Sequence, residues 1–440
     1  MEPLELCRDI LAKAKALGAE ESAVVVSRST EVSLVRRAGK LEQATQASSL
    51  GASLSLLVND RYSVHSTSDL RPAALDAFLE RAIAATRVLE PEPERRQPPA
   101  ELCGRYTSEA VLDRFDPGWE SLTAEQRRDQ AERLEACVDA LPTRDQVLSA
   151  TMYVGDSIGE TARVLSNGFE NVSRGTGYGH GAEMTLLEPG GRRPEGSSYF
   201  SATHLADLPP PEHIAAECWK RAEQRLASGP APSGRYPMLL QNSSVGRILG
   251  VLGGPLSGSE LHQGRSFLAG KKGERIAASG LTILDDPTIP RGLGSRPFDG
   301  DCLYARPFSV IEAGVLQNYY INVYYGRKLG MEPTTGGRSN WVVTPGARSV
   351  DAITKDLDRC IVVTGFLGGN SNGLTGDFSF GVQGLLLEHG EVVKHLSEMN
   401  VSGNIGELLM NFGEAADDVW KWSGVRTPSL LFEGVQFSGT

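Results

Sequence analysis

The stretch Ser243–Leu252, SSVGRILGVL, puts Val245, Ile248, Leu249 and Leu252 on one helical face, three and four residues apart. Its surroundings make it informative. From Arg235 onward the sequence is glycine-rich and strand-dominated, with few long helices. One short amphipathic helix among many strands predicts a β-rich C-terminal domain over 235–440. Upstream, helical and strand periods alternate. A helix carries Leu4, Ile10, Leu11 and Ala14 and ends near Gly18; β-type runs follow at Ala23–Ser29, Val32–Arg36 and Gly51–Val58. Asn59-Asp60 reads as a turn before Tyr62–Ser66, and Leu75, Phe78, Leu79, Ala82 and Ile83 mark a second helix. The fold class is α+β: two small mixed α/β subdomains followed by a large β-rich C-terminal domain.

Proline and charge set the boundaries. EPEPERRQPP at Glu90–Pro99 breaks both regular structures, so 1–90 reads as an N-terminal subdomain and 91–111 as a linker. The middle subdomain, 112–228, opens on a capping box, Thr123 followed by Gln126, with Ala124, Ala131, Leu134 and Val138 as its apolar stripe. Strands are expected at Val147–Val154, Thr161–Val164 and Ala182–Leu187, with a hairpin turn at Asn167-Gly168. A helix then spaces Ile214, Cys218, Ala222 and Leu226 four apart, before a second linker, GPAPSG, at Gly229–Gly234.

The 440 residues carry 55 acidic against 44 basic side chains, a net charge of −11 that opposes direct nucleic-acid binding. Arg127-Arg128, flanked by Glu125, Asp129 and Glu132, reads as a solvated helix face. The first residues lack a basic region followed by an apolar run, and no apolar stretch is long enough to span a bilayer. Six cysteines lie far apart with no Cys-x-x-Cys pair, as expected of reduced thiols in a cytoplasmic protein.

Tests for reaction chemistry return little. Zinc peptidases set two histidines about one helical turn apart around a glutamate; no His-Glu-x-x-His occurs here. The closest group, His389, Glu391 and His395, reads as a surface hairpin turning at His389-Gly390. No Ser or Cys sits in a nucleophile motif. The glycines at 175, 177 and 179 lack the lysine and βαβ setting of a phosphate loop, and read as turns or close backbone contacts. Asp285, Asp286, Asp299 and Asp301 read as loop solvation and turn capping rather than a cation site. The least ordinary loop is Gly368–Asp377, GGNSNGLTGD, whose polar side chains suit a binding surface. Spacing alone ends at an α+β protein of open role.

A resemblance goes further. RSFLAGKKGE (Arg265–Glu274), TILDDPTIPRGLGSRPFD (Thr282–Asp299), GGNSNGLTGDFSF (Gly368–Phe380) and VSGNIGEL (Val401–Leu408) resemble the TldD/PmbA family in wording and order. Weaker similarity runs upstream to the strands after Glu21. The family has two branches that pair: a TldD branch carrying His-Glu-x-x-x-His and a later cysteine, and a PmbA (TldE) branch without them. Aligned without gaps from Ser266-Phe267, the metal motif falls on Leu249–Gly254, its histidine positions on Leu249 and Gly254 and its glutamate on Gly250. The late cysteine belongs after Asn411, yet the last cysteine is Cys360. Glu260 and His262 are nearby but lack a third partner.

The resemblance therefore implies the PmbA-like branch: no catalytic residue and no metal ligand in this chain, with zinc expected in a TldD-like partner subunit. The pair would enclose a cavity in which unfolded peptides are cleaved. Asn370, Asn372 and Asp377 are the candidate substrate-binding residues. The competing expectation is a homodimer that binds peptides without cutting them. No nucleic acid or membrane enters either reading.

Overall fold

The computed structural model describes residues 2–103 and 109–439. Residues 104–108, inside the expected linker, and Thr440, at the end of the C-terminal domain, lie outside the described residues. Among the described residues no helix is long and apolar enough to cross a membrane.

The N-terminal half is one six-stranded antiparallel sheet with helices on one face. Its strands are β1 (Glu21–Arg37), β2 (Lys40–Val58), β3 (Arg61–Thr67), β4 (Val147–Leu165), β5 (Glu170–Leu186) and β6 (Glu195–Ala202), in the order β3-β2-β1-β4-β5-β6. β1 pairs with β4 from Ala23↔Leu165 to Arg37↔Thr151, so segments on either side of the proline-rich stretch share a sheet. Several expected short strands turn out longer. β1 absorbs both Ala23–Ser29 and Val32–Arg36, and β4 absorbs two more. The middle parts, 27–33 of β1 and 155–161 of β4, are largely polar, so the period-2 signal fades there while the ladder continues.

Helices α1 (Pro3–Ala16) and α2 (Pro72–Thr86) lie over Val24, Val26, Leu54, Leu56, Ala162 and Val164. Two short helices, α3 (Ala100–Cys103) and α4 (Glu109–Leu112), flank the undescribed segment. α5 (Ala124–Asp139) and α6 (Pro211–Glu223) cover Met152, Ala182, Met184 and Phe200 on the same face, as register parity shows. The Thr123–Gln126 capping box forms in full.

One reading of this helix is corrected. Arg127 is not on a solvated face: it is buried, and its guanidinium binds the buried Asp156 carboxylate through two bonds of 2.6 and 2.7 Å. Asp156 lies 29 positions along the chain on β4, invisible to local charge pattern. Of the two readings of the 175/177/179 glycines the turn falls, since they lie within β5, where Cβ atoms at Gly175 and Gly179 would lie 3.7 and 3.9 Å from the backbone oxygens of Arg114 and Phe200. At Gly181 a Cβ would come within 2.2 Å of the Tyr199 ring, so the glycine admits that ring.

The C-terminal half starts with β7 (Gly234–Leu240) and the helices α7 (Asn242–Leu249) and α8 (Gly258–His262). A small sheet follows from β8 (Ile283–Asp285), β9 (Phe308–Glu312), β10 (Val315–Leu316), β11 (Trp341–Val343) and β16 (Val425–Arg426), with α9 (Val323–Leu329) and α10 (Val350–Lys355) between them in the chain. The large sheet uses β12 (Cys360–Ser371), β13 (Asp377–Glu388), β14 (Glu391–Asn404), β15 (Phe412–Ala415) and β17 (Leu430–Ser438), with α11 (Ile405–Met410) after β14. Its order is β14-β13-β12-β7-β17-β15, and β14 also pairs with β17, which closes five strands into a ring. Closure removes the edges that five open strands would expose.

Several contacts fasten the halves, among them Arg163 to Asp299 O, Arg291 to Asp113 and Phe169 on Phe298, with two more at the ends. Arg327 Nη2 donates to Gln97 O at 2.8 Å, and the Arg95 guanidinium lies 3.5 Å from the Tyr324 ring centroid, which pins the proline-rich stretch. At the other end Trp420 and Trp422 pack on Phe200, with ring centroids 5.3 and 5.0 Å away, and Trp422 Nε1 donates to Asp207 O at 3.1 Å.

Two stability outcomes follow. Breaking the buried Arg127–Asp156 pair from either side is expected to cost about 3–5 kcal/mol in urea unfolding, because one charge stays buried without its partner. Burial also pushes the His180 imidazole down to about 4 from 6.5. A histidine lowered on folding destabilises as pH falls from about 6.5 toward about 4, where only the unfolded chain takes up the proton. His180→Gln is therefore expected to lose about 2 kcal/mol less than wild type between pH 7.5 and pH 5.

Candidate functional site

The site forms where α7 meets the β12–β13 hairpin. β7 ends at Leu240, and α7 starts at Asn242, whose backbone N–H donates to Ser429 Oγ at 3.0 Å and whose Nδ2 donates to Asp418 O at 2.6 Å. Ser244 Oγ donates to Thr364 O at 2.8 Å, tying the helix to β12. The helix tightens into a 3₁₀ turn at Gly250–Leu252, and Gly253 N–H bonds Gly250 O.

Its inner face is as periodicity requires: Val245, Ile248, Leu249 and Leu252 are all 0% exposed, in the core that also holds Met238, Ile361, Phe380 and Trp341. Past its C-terminal end, Gly250 and Gly254 are exposed. A Cβ placed on Gly250 or on Gly254 would meet no atom within 4 Å. Arg247 sets its guanidinium 4.8 Å from the Phe380 ring centroid.

The hairpin folds over this region. Gly368 and Gly369 take positive φ, and a Cβ at Gly369 would come within 2.2 Å of Ser379 O, so the bulge there needs glycine. Much of the stretch expected as a loop is ladder, with Asn370 opposite Ser379 and Ser371 opposite Phe378. Only 372–376 turn: Asn372 N–H donates to Asp377 O, and Gly376 N–H to Asn372 O, both at 2.8 Å. At the tip, Gly373 O accepts the Phe267 N–H at 3.4 Å and lies beside Pro255. Three of the four resembling segments thus meet around Pro255, just past α7. The fourth, Thr282–Asp299, lies in the small sheet.

The three candidate binding residues sit on this hairpin and are exposed. Asn372 Oδ1 accepts from Leu374 N–H at 2.9 Å. The Asp377 carboxylate accepts from Thr375 Oγ1 at 2.7 Å and Asn404 Nδ2 at 3.0 Å, and these bonds hold its pKa below the ordinary value. Asn372 and Asp377 therefore brace the turn, while Asn370 lies in the ladder beside it. Sequence reading missed Asn404, which also caps α11 by accepting from Gly406 N–H. An asparagine directly before an apolar helical turn was the available signal.

Metal-ligand chemistry was tested on the residues present. Leu249 fills the core, and Gly250 and Gly254 carry no donor. Glu260 is held by Arg265 at 2.8 Å, and His262 packs on Tyr325. Among the described residues no three His, Cys, Asp or Glu side chains gather. These residues do not fit a zinc ion. The four aspartates cap turns or backbone: Asp285 accepts from Ser339 and Tyr320, Asp286 from Thr288, Asp299 from Leu303 and Gly336, and Asp301 from Val323. His389 makes the β13–β14 turn with Gly390, and His395 Nδ1 lies 2.9 Å from Leu226 O, so the two point to different partners. Burial pushes the Cys7 and Cys360 thiols up to about 11, and Cys218 and Cys302 to about 12, away from nucleophilic ionisation.

Comparison with known proteins agrees with this layout. Residues 233–439 match the PmbA/TldA metallopeptidase C-terminal domain, and residues 23–86 match domain 1 of the same family. Metalloprotease PmbA of Escherichia coli O157:H7 is 26% identical over 435 residues, covering 98% of this chain and 94% of that protein. The crystal structure of a proposed modulator of DNA gyrase from Bacteroides thetaiotaomicron shares 32% identity and a TM-score of 0.94, over 99% of this chain and 98% of that one. TldE of Thermococcus kodakarensis shares the fold, with a TM-score of 0.86 at 21% identity over 99% and 100% of the two chains. The fold is thus that of a metallopeptidase class built from a helix-covered sheet and a β-rich C-terminal domain. The chain belongs to the PmbA/TldD family.

Placing His on a buried position and on an exposed one aims the two rings apart. The triple variant Leu249→His, Gly250→Glu, Gly254→His is therefore expected to retain no stoichiometric zinc by atomic emission after dialysis. Leu249→His alone is expected to cost roughly 2–5 kcal/mol in urea unfolding, through a lost apolar contact and a buried polar ring.

Proposed function

We propose that this chain is the non-catalytic subunit of a heterodimeric TldD/TldE-type zinc metallopeptidase that degrades or matures unfolded peptides. The observation that carries the reading is α7: within a metallopeptidase family fold, Leu249 is core and Gly250 and Gly254 are bare. No lone pair is available there for zinc, and no carboxylate to activate water. The partner, a TldD-like subunit bearing His-Glu-x-x-x-His, supplies both. This chain supplies wall and substrate contact, in which the hairpin carrying Asn370, Asn372 and Asp377 takes part. The complex works in the cytoplasm, on peptide rather than nucleic acid.

The test is an affinity pulldown of the tagged chain from its native lysate, followed by mass spectrometry and a peptidase assay. Expected is a stoichiometric family member with His-Glu-x-x-x-His, zinc in the complex, and cleavage of an unfolded peptide only when both subunits are present. Stoichiometric zinc and peptide hydrolysis by the purified chain alone would defeat the proposal. Recovery of only a stable homodimer would favour a peptide-binding protein without proteolytic activity.

A further inference from the structure

Most of the outer edge of β2 has no strand beside it. β3 pairs with β2 only from Ala52↔Thr67 to Val58↔Arg61, and β1 lies along the other side from Glu21↔Leu57 to Arg37↔Lys40. Among the described residues, no backbone pairing occupies the outer edge from Lys40 to Gly51. Residues 40–50 are exposed on both faces of the strand, with β1 along their inner side.

Proteins usually blunt such edges with charges, prolines or bulges. Here those devices are confined to the tip: Lys40, and Glu42 as the extra residue opposite the Val35–Arg36 step. From Gln43 to Gly51 the sequence is QATQASSLG, with neither charge nor proline. Unpaired N–H and C=O groups repeating along an extended strand are complemented by another extended backbone.

Two kinds of chain could supply that backbone, and the side chains separate them. A stable dimer needs about 800 Å² per partner with an apolar centre. The Gln43–Gly51 edge offers about 30 Å by 10 Å, or about 300 Å², and Leu50 is its one large apolar side chain. Ala, Ser, Thr and Gln provide no anchor and exclude few partner side chains. The edge suits brief, sequence-tolerant holding. Where β3 ends, Ser49, Ser53, Ser66, Thr67 and Ser68 line a recess that offers hydroxyls to whatever continues the β3 row.

We propose that the Gln43–Gly51 edge of β2 docks extended, unfolded polypeptide by main-chain pairing. This deepens the peptide-handling part of the proposed function and rests on it, while requiring neither the zinc subunit nor cleavage.

The experiment uses the full chain and fluorescein-labelled β-casein, an unfolded polypeptide, read by fluorescence anisotropy. Proline is placed singly at Thr45, Gln46, Ala47 and Ser48. Along a strand, N–H groups point alternately to the two sides. Two of these variants therefore lose a bond to β1 and melt several degrees lower. The other two keep the wild-type Tm and are expected to raise the casein Kd about tenfold, the effect of losing one well-made hydrogen bond with its steric fit. Unchanged casein binding in the two thermally intact variants overturns the proposal, and so does a wild-type chain that leaves the anisotropy unmoved. A wild-type dimer in sedimentation velocity that the same prolines dissolve assigns the edge to a second copy instead. Failure of the lysate pulldown to find a zinc subunit leaves the casein result standing, so the two readings fail separately.

Discussion

The antiparallel pairing of β1 with β4 is the constraint on which the rest of the structure depends. It joins segments more than a hundred residues apart and makes one sheet from what the proline-rich stretch divides in sequence. With that ladder in place, one face of the sheet gathers all four long helices, α1 and α2 over one apolar cluster and α5 and α6 over another. Closing so long a loop costs conformational entropy that grows only slowly with its length. Burial of Val24, Val26, Ala162 and Val164 at the junction supplies the return. The same ladder runs on past α1 and α2 to α5, where Leu34 of β1 packs on Ala131 and Arg36 pairs with Glu135, and it leaves β2 outermost beside β1.

The C-terminal half solves a different problem. Its large sheet closes on itself through β14 and β17, and α7 is laid against the same core that the ring buries. The helix is therefore fixed by packing on one side and free on the other. Leucine on the packed side strengthens the core, and glycine on the free side leaves room and supplies no chemistry. The hairpin over α7 keeps its shape through the glycine bulge at 368–369 and the Asp377–Asn404 bond.

The halves are held together by contacts of unlike chemistry. At one end cationic and carbonyl groups clamp the proline-rich stretch, with Arg327 bonding main-chain oxygens and Arg95 lying over Tyr324. At the other, two tryptophans from the C-terminal half fill the side of Phe200 on β6. Aromatic packing of this kind gives area and geometry without a buried charge, which makes a firm joint between a sheet end and a loop.

The sequence by itself determined what local physics determines. Apolar residues at helical spacing set α1, α2, α5, α6 and α7, Thr123 and Gln126 set a cap, and Asn59-Asp60, Asn167-Gly168 and His389-Gly390 set turns. The quoted motifs marked the family, and the missing donors at 249, 250 and 254 were legible as residue types. What only the tertiary structure decided is everything that needs a distant partner. The length of β1 and β4 was hidden because uncovered strand carries no alternating pattern, and Arg127 looked solvated because Asp156 arrives from another strand. That Leu249 faces the core depends on which side of α7 the sheet occupies, and that Gly254 faces open space depends on the turn that follows the helix. The free edge of β2 exists only because β3 ends at Thr67. A sequence records each residue's preference for water or for neighbours, whereas the identity of those neighbours is settled when the sheet closes.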